Sequence, residues 1–301
     1  MMVKEQSSKG EGLGLICGLL GYSRQAYHKR RFQMEREAAR SELVVQEVLK
    51  VRLQQKRVGT RKLYHMLGSF LADHSIVMGR DAFHEVLRDN SLLVRKRRAR
   101  KPRTTFSDPR RRYRNLIRDY VPTHANQVWV SDITYVRVGG AFAYLSLITD
   151  AYSRKIVGHN LSRDLSAKGC VGALKAALRN NPDREGLIHH SDRGTQYCSA
   201  EYVKVLGRTI GISMTENGDP LENAIAERVN GILKQELLEK RFESFWEARQ
   251  MIDEAVSIYN HLRPHLSIDK LTPAEAHART GPLKRHWKNY FSARPIAQAA
   301  A

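Results

Sequence analysis

The chain has 301 residues, with 51 Lys and Arg against 31 Asp and Glu, for a formal charge of +20. At 42% hydrophobic and 27% charged residues it has the composition of a globular protein with room for about two domains, which excludes wholesale disorder. Three scattered cysteines exclude a disulfide framework and fit a reducing, cytoplasmic setting; no apolar run is long enough for a membrane span, and the positive excess favours nucleic acid as partner.

Residues 1–94 read as helical. The segment 1–21 lacks the layout of a signal peptide, its apolar part being short and glycine-containing. Ser23 is placed to cap a helix over RQAYHKRRFQME, and Ser41 to open another with Leu43, Val44, Val48, Leu49 and Leu53 at helical spacing. Gly59 and Thr60 precede RKLYHMLGSFLA, with Leu63, Met66, Leu67 and Phe70 on one face. Gly79 breaks that pattern before AFHEVLRDNSLL. Short basic helices joined by tight turns suit a helix-turn-helix unit; an ordinary small bundle is the alternative. The charge favours the first, because residues 1–120 hold 28 Lys and Arg against 12 Asp and Glu, a net +16.

Residues 95–122 read as a basic linker. Between 95 and 118 lie 12 basic residues and one acid, Asp108, and Pro102 and Pro109 argue against one long helix. Arg95, Lys96, Arg97, Arg98, Arg100, Lys101 and Arg103 are its densest part. Either they form a solvated spacer, or they lie along DNA phosphates and give salt-dependent, sequence-blind affinity.

The period changes after residue 122. Val128, Val130, Asp132, Thr134 and Val136 alternate with Trp129, Ser131, Ile133 and Tyr135, and Gly139-Gly140 signals a hairpin into FAYLSLIT. A third strand over KIVGHNL, a helix opened by Ser166, a strand over 187–190, a helix over 199–206, a strand over 211–214 and helices over 223–239 and 244–259 complete the order. This predicts an α/β domain over 123–281 with a mixed sheet flanked by helices, followed by a tail, 282–301.

Three acids stand out in that domain. Asp132 lies inside the first strand, Asp192 directly after a short strand, and Glu227 within a helix, where Asn230 and Lys234 share its face. Such acids could converge, and a converged set needs cations. Mg²⁺ suits oxygen donors, and two ions about 4 Å apart would stabilise the attacking and leaving oxygens of a phosphoryl transfer. Spacing alone leaves Asp150, Glu216, Asp219 and Glu222 as competitors. The histidines His28, His65, His74 and His84 with Cys17 do not make a zinc module. His189 and His190 read as a strand end, one packed and one facing the cleft. Gly194 reads as a tight turn, and Arg263 as either a loop tie or a DNA contact.

The words WVSDITY, DAYSRKIVG, HHSDRGTQY, ENGDPLENAIAERVNGILKQE and YNHLRPHLSIDKLTPAEA follow one another in this order. Together they resemble the orfB-type catalytic subunit of a large bacterial insertion-sequence transposase family, whose core is similar to retroviral integrases and ribonuclease H. LGYSRQAYHKRR and GTRKLYHML resemble, more loosely, the helix-turn-helix segments of that subunit. The resemblance implies a ribonuclease H-like α/β core after an all-α helix-turn-helix region. It implies Asp132, Asp192 and Glu227 as catalytic, metal-holding acids, with the Asp192–Glu227 separation of 35 that the family requires. It implies Mg²⁺, with Mn²⁺ able to substitute, and a DNA contact from Lys234; Asn230, on the same helix face, and Arg263 are further candidate DNA contacts. The expected reaction is hydrolysis at the terminal inverted repeats, freeing a 3′-hydroxyl that attacks target DNA. A homo-oligomer pairing both ends is expected, and either an upstream-frame helix-turn-helix partner or a frameshift fusion. A non-catalytic DNA-binding protein and a simple nuclease are the alternatives.

Overall fold

The computed structural model describes residues 12–94, 113–216 and 220–286, and these belong to two compact units. The densest basic run and most of the tail, 287–301, lie outside the described residues.

The first unit is helical: α1 (Leu13–Leu19), α2 (Arg24–Gln54), α3 (Thr60–Met66), α4 (Gly68–Asp73) and α5 (Arg80–Asp89). Ser23 caps α2, its hydroxyl accepting from the Ala26 N–H at 3.1 Å. Ser41 starts no second helix. It sits inside α2, because no Gly or Pro interrupts 24–54 and the residues around it are strong helix formers. The stripe that packs is narrower than the spacing suggests. Val44 and Val48 are buried with Leu63, Leu67, Phe83 and Leu87, whereas Leu43, Leu49 and Leu53 face outward. The expected single helix over 61–72 divides at Leu67, before Gly68. Residues 28–39 of α2 are exposed on every side.

The second unit holds β1 (Val128–Val138), β2 (Ala141–Asp150), β3 (Ile156–Ser162), α6 (Ala167–Asn180), β4 (Ile188–Ser191), α7 (Ala200–Leu206) and β5 (Gly211–Met214). A 3₁₀ turn (Pro220–Asn223), α8 (Ala224–Ile232), α9 (Phe245–His261) and α10 (Pro273–His277) follow. The sheet order is β3-β2-β1-β4-β5. β1 and β2 pair antiparallel through the turn at Gly139 (φ +57°), β2 and β3 pair antiparallel through the turn at 151–155, and β1–β4 and β4–β5 pair parallel. This is the mixed sheet flanked by helices that the alternation predicts. The helix expected over 223–239 is shorter: α8 ends at Ile232 and continues as one π turn, Leu233–Leu237.

Two apolar layers cover the sheet. Trp129, Ile148, Val157, Leu174 and Tyr202 fill the side under α6 and α7; Val136, Leu145, Val229, Ile252 and Tyr259 fill the side under α8 and α9. Gly158 in β3 lets α6 approach, since a Cβ there would stand 2.4 Å from the Ala173 carbonyl oxygen. Two of the motifs turn out to be ties between α9 and the β2–β3 turn. The Tyr259 hydroxyl donates to the Arg154 carbonyl at 3.0 Å, and the Asn260 amide bonds both the N–H and the carbonyl of Ile156.

Candidate active site

The parallel β1–β4 register sets Ser131 beside Ser191, so the next residue of each chain segment is an aspartate. Asp132 remains in β1, where its side chain faces α8. One carboxylate oxygen accepts the Asn230 Nδ2–H at 2.6 Å, and the other the Ile133 N–H at 2.9 Å. Burial pushes its pKa up to about 7, and the neighbouring charges of Asp192 and, more weakly, Glu227 push the same way against these two donors.

Asp192 stands just past the end of β4 and is also raised by burial, offset by the Gly194 N–H that donates to its Oδ1 at 3.0 Å. Gly194 is needed here for space. Its φ is not in the left-handed region, but an added Cβ would lie 3.0 Å from Asp192 Oδ1 and 3.2 Å from Gln196 Oε1. Glu227 occupies the first turn of α8 with its side chain exposed. The structure thus brings Asp132 and Asp192 together and leaves Glu227 at the rim. Among the described residues no three His, Cys, Asp or Glu side chains form a closed metal-holding group. The donor set still fits a hard divalent cation: two oxygen-only ligands share a poorly hydrated site and repel one another, and the third acid is near enough to be felt by the first.

Asn230 and Lys234 reach the same strand from α8 and its π turn. The Lys234 ammonium donates to the Thr134 hydroxyl at 3.2 Å; burial lowers its pKa, and Asp132 opposes that. Asn230 is therefore a partner of Asp132, 5% exposed, rather than a group presented to solvent. Of the two readings of Arg263, the structure describes the loop tie. Arg263 is 1% exposed, and its guanidinium forks onto both carboxylate oxygens of Glu236 at 2.8 and 2.9 Å while also meeting His265. A buried fork–fork ion pair of this kind fixes the loop after α9. Arg95, Lys96, Arg97, Arg98, Arg100, Lys101 and Arg103 lie outside the described residues.

The competing acids are engaged elsewhere. Asp150 is fully buried and accepts from the Asn126 N–H and from the Ser153 N–H and hydroxyl. The Glu216 carboxylate accepts from the Asn115 N–H and pairs with Arg118; Glu222 accepts the Glu216 N–H at 2.7 Å; Asp219 lies outside the described residues. The two histidines before Asp192 are both buried, contrary to the expectation that one faces the cleft. His189 Nε2 meets the Ser131 and Tyr202 hydroxyls, His190 Nδ1 meets the Ser213 hydroxyl, and burial lowers their pKa values to about 3 and about 4.

Two groups next to the acids escaped the sequence. Asn223, one turn before Glu227, donates from Nδ2 to the Ser131 carbonyl at 3.0 Å and so holds the residue preceding Asp132. Arg193, following Asp192, donates to the carbonyls of Thr215 and Glu216, tying the acid's loop to the segment before the 3₁₀ turn. The only signal for Asn223 was its i, i+4 relation to Glu227.

Residues 122–220 and 208–273 match the Integrase core domain family in two overlapping segments. Over 270 residues the chain is 33% identical to the insertion element IS600 uncharacterized 31 kDa protein of Shigella sonnei, spanning 86% of this chain and 96% of that protein. It is 36% identical over 169 residues to the transposase for insertion sequence element IS904 of Lactococcus lactis, spanning 54% of this chain and 65% of the other. Among solved structures it is similar, at 19% identity and a TM-score of 0.46, to a simian T-cell lymphotropic virus intasome in complex with PP2A regulatory subunit B56 gamma, covering 80% of this chain and 81% of that one.

Proposed function

Because the chain belongs to the bacterial insertion-sequence transposases with an integrase core, we propose that Asp132, Asp192 and Glu227 are its catalytic acids and that it cuts and joins DNA at the terminal inverted repeats of its element in the presence of Mg²⁺. The observation that carries this reading is the pair of aspartates that directly follow the paired Ser131 and Ser191 of β1 and β4, with Asp132 held at about 7 by burial and by its neighbour.

A divalent cation held by Asp132 and Asp192 would supply positive charge against the phosphodiester and its leaving oxygen. The protein's own part is to hold and aim. Asn230 and the Ile133 N–H fix the two oxygens of Asp132, and the Gly194 N–H fixes one oxygen of Asp192. Glu227, in the first turn of α8, would complete the set as the third ligand. Lys234, beside Thr134, contributes a cation toward the DNA backbone. In the first step a P–O bond forms to water as the bond to the 3′ oxygen breaks, and the 3′-hydroxyl takes up a proton. In the second, that hydroxyl oxygen forms a bond to a target phosphorus as the bond to the target's 3′ oxygen breaks, the proton passing to that leaving oxygen, with no covalent enzyme intermediate.

Residues 1–94 and the basic linker are assigned to end binding, 123–281 to catalysis. Multimers that pair the two ends, an upstream-frame partner or fusion, Mn²⁺ as substitute metal, and action in the bacterial cytoplasm belong to the same proposal. No helix among the described residues is long and apolar enough to cross a membrane.

The test is labelled inverted-repeat DNA with Mg²⁺, comparing the wild type with Asp192→Asn. Cleavage and joining by the wild type alone, with equal DNA binding, is the expected result. Intact binding without cleavage by the wild type would mean a non-catalytic DNA-binding protein; cleavage of any duplex or hybrid regardless of ends would mean a simple nuclease.

A further inference from the structure

A hollow of about 310 Å³ opens on the face of β1 that carries Asp132, walled by the segment around Ile117, by Val128 and Val130 of β1, by Glu222 and by Ile225 of α8. Its place follows from the register. Val128, Val130 and Asp132 project from the same face of β1, and Asn223, which also lines it, holds the Ser131 carbonyl. Asn223 is 7% exposed. Its Nδ2 is used on Ser131, and its Oδ1 is a buried acceptor with no hydrogen-bond partner among the described residues. Such an orphan is destabilising, so an apolar occupant would leave the defect in place and an N–H donor would cure it. Arg118 and Tyr120 stand at the same hollow, Tyr120 with much of its ring exposed, and Ala224, also exposed, marks the mouth.

On the strength of the transposase reading above, we propose that this hollow receives one extrahelical base of the substrate DNA, next to the cleavage point, with its exocyclic amine donating to Asn223 Oδ1. The volume suits one planar heterocycle, Ile117, Val128, Val130 and Ile225 give it apolar walls beside the polar Asn115, Glu222 and Asn223, and Arg118, which pairs with Glu216, is the cation at the hollow that an adjoining phosphate would share. Holding that base outside the stack opens the duplex where the strand must be presented to Asp132 and Asp192.

The experiment uses the full chain and terminal-repeat duplexes carrying 2-aminopurine at successive positions around the cleavage point, with Ca²⁺ in place of Mg²⁺. One position brightens by about threefold or more on binding the wild type, as an unstacked base does. Ala224→Phe, which places a ring across the mouth from an exposed position, abolishes that rise, and Ala224→Ser keeps it. The proposal is overturned if no position brightens or if Ala224→Phe brightens equally. It is also overturned if Ala224→Phe changes the mass of the DNA-free protein, because the hollow then holds a second copy. Cleavage at repeat ends with Mg²⁺ but no bright position rejects the pocket alone. Intact binding without cleavage rejects the catalytic reading and the pocket with it.

Discussion

Replacing Asp132 by Asn should make the catalytic core more stable at alkaline pH and less stable in acid. A carboxyl held at about 7 instead of its ordinary 3.8 disfavours the ionised folded state by about 4 kcal/mol. The sign follows from linkage. The folded pKa is raised, so this group's stabilising contribution is complete below about pH 4 and is lost as pH rises through 7. An amide carries no charge and escapes that loss, but it has one acceptor oxygen for two donors, Ile133 N–H and Asn230 Nδ2–H. Stranding one of them costs about 2 kcal/mol. The balance is a gain of about 2 kcal/mol at pH 8, or roughly 4–8 °C in the melting temperature of the core, and a loss of about the same size at pH 4. Calorimetry in a chelator across this range reads both ends. Excess Mg²⁺ at pH 8 should raise the wild-type melting temperature and leave that of the variant unchanged. An Asn variant that melts below the wild type at pH 8, or a difference independent of pH, would refute the account of the acid pair.

Further expectations concern single contacts. Asn230→Leu removes a donor to the ionised Asp132 and should move the acid limb of the activity–pH profile up by about one unit, with rate restored at higher pH. Gly194→Ala should lower the cleavage rate by about tenfold or more through displacement of Asp192, while DNA affinity holds. Arg263→Met should leave Glu236 buried without its partner and cost about 3–5 kcal/mol in chemical denaturation; the folded fraction should bind DNA normally, which a lost DNA contact would not allow. Gly158→Ala should yield little folded protein by expression and circular dichroism, because the added methyl meets the backbone of α6.

Local order was readable where one rule acted alone. The period-two run from Val128 to Val136 and the Gly139-Gly140 turn gave β1 and β2, and the ordered motifs singled out Asp132, Asp192 and Glu227 as candidates. The long α2 was misread because Ser41 is a good cap by type, whereas the residues around it favour continuing the helix. Leu43, Leu49 and Leu53 have helical spacing, but the short helices of that unit pack on the stripe of Val44 and Val48. Asn230 and Arg263 were assigned to DNA because nothing local reveals their partners. Asp132 lies 98 positions from Asn230, and Glu236 lies 27 from Arg263. The place of Glu227 at the rim depends on how α8 is set against β1, which spacing along one helix cannot give.

The order of the strands has a consequence for a chain still being made. β1, β2 and β3 form a local antiparallel sheet that can pair early, but β1 meets β4 only by a parallel crossover through α6, and α8 emerges later still. A ribosome-bound fragment that ends before β4 carries Asp132 with no second acid beside it. On the proposed assignment of the acids, translation products that end before β4 therefore hold no assembled acid pair, and the chemistry waits until α8 has been made.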